Sequence, residues 1–169
     1  MRKIFSTFVA SLILVGQAGI AGSLQPVDLG PMAHASATLT VVAPDGTERS
    51  YTPAELEAFP TYSLTTTTPW RQEPATFEGV LLSDILTANG LSEAAAVTVT
   101  AENDYSTLVE RGTWRGIQIL VATRVNGRAH SRRTRGPIQF IIDMDTLTAT
   151  DLAGEGTLVW MAARIEAEG

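Results

Sequence analysis

The stretch Phe77-Glu78-Gly79-Val80-Leu81-Leu82-Ser83-Asp84-Ile85-Leu86 decides the fold of this chain. Leu81, Leu82, Ile85 and Leu86 fall at helical spacing, and Gly90 supplies a C-terminal stop. The part from Val80 to Asn89 therefore reads as an amphipathic helix with one apolar face to bury, and the flanking chain supplies a sheet for it to pack on.

Upstream, Tyr62 to Thr68 is rich in β-branched threonine and reads as a strand ending at Pro69-Trp70-Arg71, because Pro69 forces its neighbour out of helical geometry. Before it, Thr52-Pro53-Ala54-Glu55 is a capping box with proline at the first helical position, opening a short helix to about Phe59 that Pro60 closes. Thr38 to Val42 alternates, and Asp45-Gly46 turns it into Glu48 to Tyr51 as a first hairpin.

Downstream, Val97 to Ala101 is a strand that delivers Glu102-Asn103-Asp104-Tyr105 to a loop, and Ser106 to Glu110 resumes extended chain. Arg111 to Gly116 reads as irregular, Ile117 to Val125 is strongly apolar, and Asn126-Gly127 is a hairpin signal. Ile138 to Ile142 is a further strand, Asp143 to Glu155 a polar connection, and Thr157 to Ile165 a closing strand. Strands dominate and short helices interrupt them. The expected class is α+β, a mixed or antiparallel sheet domain with short helices.

Composition bounds the function. Arg2 and Lys3 precede an apolar run from Ile4 to Val15 that is too short to span a bilayer, the layout of a secretory leader. The expected division is a leader over residues 1–35, cleaved between 21 and 35, and a single domain over residues 36–169, with the folded part starting near Thr38. The expected location is the periplasm, with no membrane insertion after processing. Cleavage at Ala21 takes the basic count from 12 to 10 against 18 acidic residues, a net charge of −8, which argues against nucleic acid and anionic membranes as partners. The chain has no cysteine and two histidines, His34 lying in or near the leader, so no metal-ligand set is expected.

Against this acidic background, Arg128-Ala129-His130-Ser131-Arg132-Arg133-Thr134-Arg135-Gly136-Pro137 concentrates positive charge. Planar guanidinium forks gathered in one segment bind an anion or face an acidic partner, and a solvated turn is the plain alternative.

Set in order, Thr68-Pro69-Trp70, Phe77 to Leu86, Gly90, Asn103-Asp104-Tyr105, Asn126-Gly127, Ser131, Arg133, Gly136-Pro137, Trp160 and Ile165 give a chain that resembles the molybdopterin-binding domain of the sulfite oxidase superfamily. The resemblance is to its small, exported, single-domain branch and covers nearly all of the chain past the leader. In the enzymes of that superfamily a cysteine at the end of the strand before the helix supplies the molybdenum thiolate. Here the corresponding region is Thr65 to Thr68, and a neutral hydroxyl is a poor substitute for soft anionic sulfur. Oxo-transfer should therefore be lost while the fold persists.

Cysteine-less exported members resemble periplasmic pterin-binding proteins that report to a membrane-bound signalling partner, such as a cyclic di-GMP enzyme or a sensor kinase. The resemblance then implies a non-enzymatic protein with no catalytic cofactor, a pterin as ligand, and the exported domain of a membrane protein as partner. It assigns Trp70 to stacking, Asp104 to the ring N–H donors, Tyr105 to a wall or lid, and Arg133 and Arg135 to donation, with Ser131 and Thr68 as hydroxyl contacts. Arg132 alternates away from the site if the segment is extended.

Each residue has a plainer role available. Trp70 is either a core corner or a ligand ledge, Asp104 can hold a turn through its own backbone, and Arg133 and Arg135 can pair with nearby carboxylates. Gly136-Pro137 reads as backbone punctuation and Trp160 as core. Two further functions compete with the pterin reading: a molybdopterin-dependent oxidoreductase, and a ligand-free interaction module whose arginine segment docks on an acidic receptor.

Overall fold

The structure is a computed structural model that describes residues 22–168. The putting-together of the chain follows from where apolar residues fall along each strand. The strands are β1 (Gln25–Pro26), β2 (Leu39–Val42), β3 (Glu48–Tyr51), β4 (Thr61–Thr68), β5 (Arg71–Leu81), β6 (Ala96–Ala101), β7 (Ser106–Glu110), β8 (Leu120–Val125), β9 (Arg128–Ala129), β10 (Gln139–Ile141) and β11 (Ala162–Ala167). The helices are α1 (Pro53–Leu56), α2 (Leu82–Ala88), α3 (Arg111–Gly116) and α4 (Met144–Ala149), with single 3-10 turns at Arg132–Thr134 and Glu155–Thr157. None of the described helices is long and apolar enough to cross a membrane.

Two sheets result. One runs β1-β4-β5-β8-β10, with β9 pairing on β8, and is antiparallel throughout. The other runs β3-β2-β11-β6-β7 and is mixed, because β11 lies parallel to β2 and antiparallel to β6. The α+β class with mixed and antiparallel sheets is the one the sequence implies.

Alternation places the core. Val80, Val121 and Phe140 of the first sheet meet Leu39, Val41, Val99 and Ile165 of the second in one apolar cluster, which α2 completes with Leu82, Ile85 and Leu86. On its other face the first sheet carries Leu64, Phe77, Leu120, Ala122 and Ile141 as a smaller cluster. β8 is thus buried on both faces, which explains the consecutive apolar residues Leu120, Val121 and Ala122 at its start.

The capping box forms as expected: the Thr52 hydroxyl accepts from the Glu55 amide, and the Glu55 carboxylate accepts from the Thr52 amide at 2.7 Å. Other expectations need correction. Residues 71–81 form one long strand, paired by β4 on one side and β8 on the other, so the helix begins at Leu82 rather than at Val80. Arg111–Gly116 is helical, and the polar connection after Asp143 holds α4, whose first turn is capped by the Asp143 carboxylate accepting from Thr146. The closing strand starts at Ala162 rather than Thr157 because Glu155–Thr157 forms a 3-10 turn.

The expected start of the folded part near Thr38 is also too late. β1 pairs with β4, Val27 donates to Thr61 at 3.0 Å, and Arg124 donates to the Gly30 carbonyl at 2.6 Å. His34 is not stray leader: its Nε2 lies 3.2 Å from the Glu57 carboxylate, with both side chains buried. The leader expectation for residues 1–21 falls outside the described residues.

Candidate functional site

β4 and β5 form a hairpin whose two-residue turn is Pro69-Trp70, since Thr68 pairs with Arg71. Proline favours the first corner of such a turn, and the second position projects outward. Trp70 therefore stands at the hairpin tip, 38% exposed, and not in the core.

The arginine segment meets it from the opposite side. Only Arg128 and Ala129 extend as a strand, after which Ser131 begins a 3-10 turn in which Arg135 adopts left-handed geometry (φ 76°). Ser131 and Thr134 hydroxyls lie 3.0 Å apart and close the turn on itself. Arg132 does point away from the tip, but by helical rotation and not by strand alternation, and its guanidinium pairs with Glu102 at 2.7 Å.

Between hairpin and turn is a cleft of about 370 Å³. Phe77, Val125, His130 and Gln139 line it from the sheet, Thr68, Trp70, Arg71 and Glu73 from the hairpin, and Arg133 and Arg135 from the turn. Trp70 stacks on Trp160 with ring centroids 5.8 Å apart and planes 22° apart, and the Arg135 guanidinium carbon sits 4.9 Å from one ring and 4.8 Å from the other. Trp160 is consequently half-buried in an aromatic wall, correcting its expected place in the core. Trp160 precedes β11 and makes only an isolated bridge to Gln139, so strand alternation does not dictate its burial.

The charges are arranged unevenly. Among the described residues, Arg49, Arg111, Arg115, Arg124, Arg132 and Arg164 each donate to a carboxylate, carbonyl or amide oxygen of the chain. Arg71, Arg128, Arg133 and Arg135 have no such acceptor there, and three of these four line the cleft. The Arg135 Nε is buried with no hydrogen-bond partner. A buried guanidinium donor lacking an acceptor is costly, and a ligand oxygen or ring nitrogen would relieve it.

His130 is 2% exposed. Burial pushes its pKa below the ordinary histidine value, with Arg71 adding repulsion and the Gln139 contact opposing both. Its Nε2 lies 2.8 Å from Gln139 Oε1, so with that oxygen accepting, Nε2 carries the proton and Nδ1 faces the Thr134 hydroxyl at 3.2 Å. A histidine depressed in this way binds fewer protons folded than unfolded, so it costs stability as pH falls below the ordinary histidine range. The ring is a neutral wall that holds the arginine turn against the sheet. Gly136 is required beneath it, because a Cβ there would lie 2.6 Å from the His130 backbone.

Of the residues expected at the site, the cleft gathers Thr68, Trp70, Arg133 and Arg135. Ser131 serves the turn, Asp104 is exposed in a left-handed turn (φ 64°), and Tyr105 lies over a second, neighbouring cleft. Sequence reading missed Arg71, Glu73, Phe77, His130 and Gln139 as lining residues. Arg71 beside Trp70 and His130 within the arginine run were visible signals; Glu73 and Gln139 carried none.

The donor set does not suit a molybdenum thiolate. Thr66 accepts from the Met144 amide and donates to Asp143, and Thr65 pairs with Thr76, leaving Thr68 as the hydroxyl of that run facing the cleft.

No known family profile and no curated protein matches the chain. Among solved structures, the crystal structure of the sulfane dehydrogenase SoxCD from Paracoccus pantotrophus superposes with a TM-score of 0.60 at 13% identity, over 78% of this chain and 38% of that one. The chain thus spans well under half of the protein it resembles, and what the likeness shows is a common α+β fold.

Proposed function

We propose that this chain is an exported, non-enzymatic pterin-binding protein of the periplasm, which reports ligand occupancy to a membrane-bound regulator. Its fold is shared with a molybdenum enzyme, and the run Thr65 to Thr68, where the resemblance expects a thiolate, offers the cleft only the Thr68 hydroxyl; on this reading metal ligation is lost and the walls are kept. The observation that carries the reading is the cleft itself: an exposed indole beside three guanidinium groups without protein acceptors. A flat heterocycle with carbonyl and ring nitrogen acceptors fits that pairing, and Glu73 offers the carboxylate for its N–H donors.

Neopterin is the test ligand, titrated by calorimetry or by quenching of its fluorescence. Trp70→Ala should weaken binding about tenfold or more, since stacking on an aromatic side chain is worth about 1–3 kcal/mol. Arg133→Ala should cost a similar factor through the loss of a charged hydrogen bond, roughly 1.5–3 kcal/mol. Both side chains are at the surface of the site, so circular dichroism should stay native. Wild-type affinity in both variants would remove the proposed pocket.

A further inference from the structure

The Trp70–Trp160 pair has a second side. There a cleft of about 280 Å³ is lined by Trp70, Trp160, Tyr105, Asn103, Glu155 and Gly156. Its composition is the inverse of the first cleft: three aromatic rings and a carboxylate, with no arginine among the lining residues. Among the described residues the Glu155 carboxylate accepts from no side chain or backbone group, and the neighbouring Asp104 carboxylate is exposed and equally unpaired.

We propose that this second cleft is a docking site for a basic side chain, arginine or lysine, of a protein partner. Aromatic faces attract cations through their quadrupoles, and a carboxylate at the rim completes the complement. The same ring pair already receives one guanidinium, that of Arg135, from the side of the first cleft. Tyr105 is 40% exposed, yet its hydroxyl is held by the Gly156 carbonyl at 3.1 Å, so the ring is presented with little freedom. Gly156 permits that contact, since a Cβ there would lie 3.0 Å from the hydroxyl. Rigid exposed Trp and Tyr beside a charge are the composition of an interface hot spot, which favours a protein side chain over a free cation.

The two clefts are also joined through the backbone. The Met161 amide donates to the Arg135 carbonyl at 3.2 Å, and the Glu102 amide donates to the Met161 carbonyl at 2.8 Å. The Arg132–Glu102 ion pair spans the same gap. These contacts give a ligand at Arg135 or Trp70 in the first cleft a continuous hydrogen-bonded route to the turn that carries Tyr105 in the second. This deepens the signalling half of the functional reading and rests on it for the existence of a partner.

The probes are acetyl-Gly-Arg-Gly-amide and its neutral counterpart with citrulline, titrated into the full chain while the tryptophan indole N–H resonances are followed by NMR. The arginine peptide should shift the Trp160 signal at concentrations where the citrulline peptide does not, and Glu155→Gln should weaken it about fivefold or more. Equal response to both peptides, or an unchanged affinity in Glu155→Gln, overturns the proposal. Choline binding at least as tightly as the arginine peptide also overturns it, in favour of a small cationic ligand. Neopterin binding is measured on the same samples: wild type that binds neopterin but not the arginine peptide sinks the docking site alone, and the converse sinks the pterin assignment alone.

Discussion

Arg124→Ala is expected to lower unfolding stability by about 3–5 kcal/mol, the usual cost of leaving one partner of a buried ion pair uncompensated. Both side chains of the Arg124–Glu57 pair are almost fully buried, at 6% and 7% exposure. The guanidinium meets the carboxylate as a fork, Nε to Oε1 at 2.9 Å and Nη2 to Oε2 at 2.6 Å, and the Thr123 hydroxyl adds a third donor at 2.6 Å. Because Arg124 also holds the Gly30 carbonyl, its loss frees the N-terminal segment from the sheet as well. Thermal unfolding should show a fall in Tm of roughly 10–15 °C. Replacing both partners by apolar residues, Arg124→Met with Glu57→Leu, should recover most of the loss, since no charge is then stranded.

The pH dependence of this defect has a definite sign. Burial alone would raise the Glu57 pKa, but the hydrogen bonds from Arg124 and Thr123, with His34 nearby, outweigh it and hold the carboxyl below its ordinary value of 4.5. A folded pKa below the unfolded one stabilises above the ordinary value, and that stability is lost as pH falls through the folded pKa. Without Arg124 the burial contribution is no longer offset in the same way. The gap between wild type and variant should therefore be widest near neutral pH and narrow below about pH 4. A gap independent of pH would show that the ion pair is not its source.

Gly79→Ala is expected to be comparably damaging, for a steric reason. Gly79 is buried near the C-terminal end of β5, at a register shift against β8, where an added Cβ would lie 2.1 Å from the Val121 carbonyl oxygen and 2.8 Å from the Ala122 Cα. Both obstacles are backbone, so no rotamer change can relieve them, and β8 must move away from the centre of the sheet. Overpacking usually costs about 1–3 kcal/mol, and this contact belongs at or above the top of that range. Ala122→Gly should fail to rescue it, because the nearer clash is with a carbonyl. A denaturation midpoint within error of wild type would mean the β5–β8 pairing is looser than described.

Neither residue lines a cleft, yet each bears on function. β5 begins at Arg71 beside the first cleft and ends at the start of α2, so a displaced β8 carries Val125 and the following turn with it. Arg124 is the residue before Val125, and its tether to Glu57 fixes the end of the strand from which the arginine segment departs.

Much of the local structure was legible in the sequence alone. The capping box at Thr52, the hairpin at Asp45-Gly46, the apolar run of β8 and the helix closed by Gly90 are decided by short-range chemistry: proline geometry, a reciprocal side-chain cap, and the period at which apolar residues recur. So were four cleft residues, Thr68, Trp70, Arg133 and Arg135, because a hairpin tip and an arginine run both announce themselves. The tertiary structure alone decided the rest. That Trp160 leaves the core to stack on Trp70, that Arg132 spends its charge on Glu102 while Arg133 keeps its own, and that His34 belongs to the domain each depend on contacts between segments distant in sequence. Periodicity reports which face of an element is apolar and says nothing of which charge finds a partner across the fold; that pairing sets the two clefts apart.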